Sequence, residues 1–233
     1  MQVENLSNRL NGKSLVDSLR EVESLFPGQV VFSSAFGQED QVITDAIFKN
    51  NIDIKVFTLD TGRLFKETYD LIDQTRSVYK KPISVYFPNH QRVEQLVSDK
   101  GMHSFYDSVN NRKECCFIRK VEPLQRALKG AKVWITGLRS GQSSNREDFQ
   151  KVEWDASNQV IKFNPLLDWG YDEMLAYLKT HQVPYNKLHD QGFVSIGCAP
   201  CTRAISKDED ARAGRWWWEI SKKECGLHQV RAV

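Results

Sequence analysis

Five cysteines carry most of the chemical information in this chain: an adjacent pair, Cys115-Cys116, the motif Cys198-Ala199-Pro200-Cys201, and a single Cys225 in the phrase Lys223-Glu224-Cys225-Gly226-Leu227-His228. Four thiolates complete a metal site and leave the fifth for chemistry of its own. Two adjacent thiolates reach one centre only if it offers each its own metal atom, as a four-iron cluster does. Structural zinc prefers a short spacer between the cysteines of both halves, which Cys115-Cys116 lacks. A thioredoxin-type Cys-x-x-Cys disulfide leaves the other pair unexplained. Cys115, Cys116, Cys198 and Cys201 therefore read best as the ligands of an iron-sulfur cluster, with zinc as the alternative.

Cys225 is then the candidate nucleophile. Arg212, Arg215 and His228 lie near it in sequence and favour its thiolate. A mobile C-terminal arm would let it meet a substrate and a second protein in turn. The Trp216-Trp217-Trp218 run is either an anchor or partner contact for that arm, or ordinary packing. Arg112, Lys113, Arg119 and Lys120 surround the first cysteine pair, and Arg203, Lys207, Arg212 and Arg215 follow the second. Placed there, they mark an electropositive pocket for an anion and for thiolates.

The elements that position these groups follow from periodicity. Apolar residues at helical spacing predict a helix over 13–26 before Pro27-Gly28. Strands are expected at 29–34, 53–59, 83–87 and 132–136. A helix carrying Val42, Ile43, Ala46 and Ile47 follows the first strand, and one over 64–79 the second. A hairpin at 152–154 and 160–163 precedes a helix over 171–180. This alternation predicts an α/β fold with a mainly parallel sheet and helices on both faces.

Ligands of such sheets sit beyond the carboxyl ends of the strands, where three polar loops are expected. The first, 34–40, offers Ser34, Gly37 and Asp40 at a helix N-terminus suited to an anion. The second is Asp60-Thr61-Gly62, after Leu59, resembling a ribose or adenine contact. The third, 137–143, brings Arg139 and, further on, Arg146, both able to grip sulfate or phosphate oxygens. Together they favour an anionic nucleotide.

A net charge of +2, with 40% hydrophobic and 27% charged residues, is an ordinary globular balance. It gives no support to a general nucleic-acid or membrane-surface role. No apolar run approaches the ~18 residues of a spanning helix. The start, Met1-Gln2-Val3-Glu4-Asn5, lacks the flank and apolar stretch of a secretory signal, so a cytoplasmic location with reduced thiols is expected. The expected organisation is a nucleotide-binding domain with the cluster site over 1–206 and a mobile arm over 207–233.

Several ordered phrases carry a resemblance: Leu59-Asp60-Thr61-Gly62-Arg63-Leu64-Phe65, Cys115-Cys116-Phe117-Ile118-Arg119-Lys120, Gly197-Cys198-Ala199-Pro200-Cys201, Gly214-Arg215-Trp216-Trp217-Trp218-Glu219 and Glu224-Cys225-Gly226-Leu227-His228. From about residue 29 to 228 the chain resembles the bacterial assimilatory adenylyl-sulfate (APS) reductases of the phosphoadenylyl-sulfate reductase family. The resemblance implies an adenine-nucleotide-hydrolase-like fold and thioredoxin-dependent reduction of adenosine 5′-phosphosulfate to sulfite and AMP, in the sulfate assimilation that feeds cysteine biosynthesis. It implies one 4Fe-4S cluster on Cys115, Cys116, Cys198 and Cys201, and an S-sulfocysteine formed on Cys225. Lys120 would link the cluster's charge to the substrate, Arg212 and Arg215 would lie near the catalytic thiol, and a homo-oligomer is allowed. One departure concerns Ser34-Ala35-Phe36-Gly37, which is similar to the loop of enzymes using the 3′-phosphorylated substrate; 3′-phosphoadenylyl sulfate is thus the alternative substrate. The Ser-Gly-Gly-x-Asp-Ser loop of ATP-pyrophosphatase-type ligases is absent at 34–40.

Overall fold

The computed structural model describes residues 2–142 and 149–219, so the predicted site residues Arg146, Cys225 and His228 lie outside the described residues. The chain divides into two compact units, one from Met1–Thr58, Lys66–Ser84 and Leu128–Lys187, the other from Leu59–Phe65, Val85–Ala127 and Leu188–Val233.

Six strands, β1 (Val30–Ser33), β2 (Lys55–Leu59), β3 (Ser84–Tyr86), β4 (Val133–Ile135), β5 (Val152–Asp155) and β6 (Val160–Phe163), form one sheet in the order β3-β2-β1-β4-β6-β5. Val30, Val31 and Phe32 are all buried, as a central strand covered on both faces requires. Phe32 pairs with Val56 on one side and Ile135 on the other, both in parallel. β4 and β6 are also parallel, and the β5–β6 hairpin is antiparallel. Parallel neighbours need crossovers, supplied by α3 (Gln38–Lys49) between β1 and β2. α4 (Lys66–Tyr79) connects β2 to β3. The mainly parallel α/β sheet expected from sequence is thus the one found. α2 (Leu15–Leu25) and α8 (Tyr171–Thr180) also fall where periodicity places them. Four helices among the described residues come without a sequence expectation: α1 (Gln2–Leu10), α5 (His90–Lys100), α6 (Val109–Cys116) and α7 (Glu122–Ala127). No helix among the described residues is long and apolar enough to cross a membrane.

α3 is buried around its polar side as well as its apolar one. Its Asp45 accepts hydrogen bonds from Tyr79 at 2.6 Å and Tyr177 at 2.9 Å, and Lys49 lies 2.8 Å away. Burial, then the Asp45 contact, pushes both phenols well above the usual tyrosine range. The unfolded chain ionises its tyrosines near pH 10, a gain the folded state cannot share here. Stability is therefore full below about pH 10 and falls as pH rises beyond it. Melting temperature measured across that range should decline, and more shallowly in Tyr79→Phe/Tyr177→Phe; an unchanged slope would contradict this origin.

Candidate active site lined by four cysteines

The second unit is organised by one helical run. α6 (Val109–Cys116) begins on Ser108, whose hydroxyl accepts the Asn111 N–H at 3.1 Å. The run continues through a π-helical turn, Phe117–Val121, into α7 (Glu122–Ala127). Pro123 accounts for the wide turn: it has no N–H to give the Arg119 carbonyl, and its ring would crowd that carbonyl in a regular helix. Such turns concentrate at functional sites, and this one directly follows Cys115-Cys116. Burial outweighs Arg119, one helical turn on, which favours the Cys115 thiolate electrostatically.

Cys198 and Cys201 sit on a single 3-10 turn, Ala199–Cys201, in which the Cys198 carbonyl accepts the Cys201 N–H at 2.9 Å and the Thr202 hydroxyl at 3.0 Å. Gly197 precedes it without a side chain, because a Cβ there would overlap the Arg215 guanidinium. The stretch expected to begin the arm at Lys207 is instead folded onto this turn as far as Glu219. Trp216 donates its N–H to the Cys201 carbonyl at 3.2 Å, Arg203 to the Gly214 carbonyl at 2.9 Å, and Thr202 bridges Arg215 in antiparallel fashion. Arg203 and Glu209 close the intervening loop with two charged hydrogen bonds. Of the three tryptophans, Trp216 is core and Trp217 is exposed.

Asp60-Thr61-Gly62 braces the two halves of the cysteine set. The Asp60 carboxylate accepts the Gly62 N–H at 2.7 Å, and Gly62 takes a left-handed φ of 70°. Thr61 Oγ1 lies 3.2 Å from Cys198 Sγ, while the Thr61 carbonyl accepts from Arg119 at 2.7 Å. Ala199 donates its N–H to the Arg63 carbonyl at 2.8 Å. Leu59, the last residue of β2, is half-buried.

All four thiols line one cavity, together with Phe105, Arg63, Arg112, Arg119 and Lys120. Burial pushes Cys201 up to about 12, reinforced by Cys198 and Cys116, and burial raises Cys115 too. At Cys198 burial opposes ionisation, but Lys120, the Thr61 hydrogen bond, Arg215 and Arg119 outweigh it and lower the thiol. Four thiolates cannot crowd one partly buried cavity without added positive charge.

Several donors around the cavity also lack an acceptor. Arg119 Nε, Arg215 Nε and the indole N–H groups of Trp216 and Trp218 are buried without a hydrogen-bond partner among the described residues. Each such group costs about 1–3 kcal/mol, so the set points to an acceptor-rich occupant. Among the described residues no three His, Cys, Asp or Glu side chains are placed to hold a single metal ion. An acceptor-rich anionic group would satisfy these donors. Trp216, 1% exposed, holds a left-handed φ of 42° under three guanidinium groups, Arg112 at 4.5 Å, Arg215 at 4.8 Å and Arg212 at 5.9 Å. That backbone costs about 1–3 kcal/mol and persists because the cation–π stack and packing hold it.

The first unit holds the other predicted loop. Phe36, buried at φ 60°, forces a sharp turn after β1. Asp40 Oδ2 accepts the Ala35 N–H at 2.7 Å and the Gly37 N–H at 3.3 Å, and the Ser34 hydroxyl accepts the Phe36 N–H at 3.2 Å. A Cβ at Gly137 would collide with Asp40, which ties the two loops by close approach. Arg139 is buried, pairs with Glu39 at 3.2 Å and lies over the Tyr171 ring. Sequence reasoning missed Arg63, Phe105 and Glu219 as parts of the cysteine site; none stands in a spacing that signals it.

Residues 29–204 match the sequence model of the phosphoadenosine phosphosulfate reductase domain. The chain belongs to that family. Among this reductase's curated relatives, adenosine 5′-phosphosulfate reductase of Allochromatium vinosum is 50% identical over 211 residues, covering 90% of this chain and 80% of the relative. The enzyme of that name from Sinorhizobium fredii is 49% identical over 229 residues, covering 98% and 91%. Among solved structures, phosphoadenylyl-sulfate reductase from Candida auris in a phosphate complex superposes with a TM-score of 0.74 at 30% identity, covering 87% of this chain and 96% of that one. Candida glabrata FMN adenylyltransferase, with a TM-score of 0.55 at 16% identity and coverage of 89% and 74%, shares the fold alone. Membership makes the chain an oxidoreductase enzyme.

Proposed function

We propose that this reductase converts adenosine 5′-phosphosulfate to sulfite and AMP in sulfate assimilation, in the cytoplasm, with thioredoxin as electron donor and Cys225 as nucleophile. One observation carries the reading: relatives sharing about half their residues with the chain across most of its length bear that activity as their name. The basic, four-thiol cavity supports it.

Cys115, Cys116, Cys198 and Cys201 would hold a 4Fe-4S cluster, which when bound supplies a fixed electrostatic centre rather than electrons. The Cys225 thiolate, favoured by Arg212, Arg215 and His228, attacks the sulfate sulfur. The S–O bond to phosphate breaks, AMP leaves with the electron pair, and S-sulfocysteine remains. A thioredoxin thiolate then attacks the Cys225 sulfur and sulfite departs. Its second thiol resolves the mixed disulfide, so the two electrons come from the dithiol. In the first unit Ser34, Gly37, Asp40 and Arg139, with Arg146, are proposed substrate contacts; in the second, Leu59, Asp60, Thr61 and Gly62. Asp40 also shapes its loop, its carboxylate accepting two backbone N–H groups.

Lys120 lines the cavity and is proposed to carry positive charge toward the sulfate oxygens. Losing one preorganised charge of this kind costs on the order of 3 kcal/mol, or ~100-fold in turnover. Lys120→Ala should show that loss with its iron content intact, whereas Lys113→Ala, at an exposed position, should not. Equal rates in the two variants would reduce Lys120 to a cavity wall. The substrate is tested by anaerobic kinetics on both sulfonucleotides with thioredoxin. A higher kcat/KM on adenosine 5′-phosphosulfate is expected. Equal or reversed values would mean that the Ser34–Gly37 loop sets specificity for the 3′-phosphorylated substrate.

A further inference from the structure

We infer that Arg112 and Glu219 form the anchor that positions the catalytic tail, tying the residue six places before Cys225 to the wall of the cysteine cavity. The inference rests on the reading of Cys225 as nucleophile. Arg112 and Glu219 are joined by two hydrogen bonds, both 2.8 Å, with side chains only 4% and 3% exposed. The same guanidinium lines the cavity with Cys116 and lies 4.5 Å from the Trp216 ring centre. Glu219 is held on its backbone side as well, its N–H donating to the Trp216 carbonyl at 2.9 Å.

A buried ion pair adds little net stability compared with apolar packing, but a two-pronged guanidinium–carboxylate contact fixes position and direction. Here it fixes the point from which the chain departs toward Cys225. Six residues span at most about 21 Å, so Cys225 lies within that reach of Glu219. Without the pair the next firm attachment is Trp216, nine residues from Cys225. Lengthening a tether in that ratio lowers effective concentration only about twofold. A misdirected nucleophile loses far more, ~100-fold for displacements on the order of 1 Å. The size of the effect therefore separates positioning from simple tethering.

The test uses cluster-loaded Glu219→Gln, with Glu219→Asp as the conservative rescue and Arg112→Lys as an independent disruption. Adenosine 5′-phosphosulfate is added without thioredoxin, and the rate of SO3 addition to Cys225 is followed by peptide mass, normalised to iron content. Amide exchange over residues 216–219 is read in parallel. We expect Glu219→Gln and Arg112→Lys to slow adduct formation tenfold or more and to speed exchange, with Glu219→Asp recovering part of the rate. A smaller fall, or unchanged exchange, overturns the anchor. If wild-type protein forms no adduct on Cys225, the underlying reading fails and the anchor with it. If wild-type forms it and Glu219→Gln matches the wild-type rate, only the anchor fails.

Discussion

Cys225→Ser is expected to form no measurable sulfite while retaining its iron and its affinity for nucleotide. The four thiols that line the cavity are Cys115, Cys116, Cys198 and Cys201, which leaves Cys225 as the thiol with no metal to hold. A serine hydroxyl there would titrate far above neutral pH and could not be released as a disulfide partner for the incoming reductant. Removing the nucleophile of a covalent enzyme costs on the order of a millionfold in turnover. Sulfite release by this variant above background, measured with thioredoxin present, would take Cys225 out of the mechanism.

The second large effect is expected from Cys116→Ser. Wild-type protein prepared without oxygen should be brown with about four irons per chain. The variant should fall below one iron, lose its visible absorption and lose activity. Its Arg112 would keep Glu219. Four thiolates held without metal repel one another and are hard to ionise when buried, as the raised Cys201 and Cys115 show. A cluster bound there would contribute to folding as well as to chemistry, so the variant should melt at lower temperature than the loaded wild type. Stoichiometric zinc in the wild type, with no iron, would remove the cluster.

Much of the sheet was legible because its strands are short continuous apolar runs. Val30-Val31-Phe32 and Val133-Trp134-Ile135 are buried on both faces and bounded by turn residues. α3, α4 and α8 announce themselves by helical spacing. α1 and α5 do not, because α1 buries only Leu6 and Leu10, and α5 only Leu96. The helix carrying the first cysteine pair was hidden for a related reason. Asn110, Asn111, Arg112, Lys113 and Glu114 have no apolar stripe, and the segment is fixed by the Ser108 cap and by what its side chains reach at the site.

The cysteine set was readable from residue type and spacing, and the structure brings all four to one cavity. Its partners were not, since they come from remote sequence. Arg112 meets Glu219 across 107 positions, and Thr61 meets Cys198 across 137. Dense charge after Lys207 suggested a solvated arm, yet Arg203 satisfies Glu209, and Trp216 is pulled into the core under three arginines. Local composition reports what a segment can do alone, and these segments are ordered by tertiary pairing.

The most direct test withholds the reductant. Wild-type, cluster-loaded protein given adenosine 5′-phosphosulfate without thioredoxin should release one AMP per chain, stop, and gain the mass of one SO3 on the peptide containing Cys225. Adding thioredoxin should then discharge that mass as sulfite. Continued turnover without thioredoxin, or the adduct on Cys115, Cys116, Cys198 or Cys201, would contradict the mechanism.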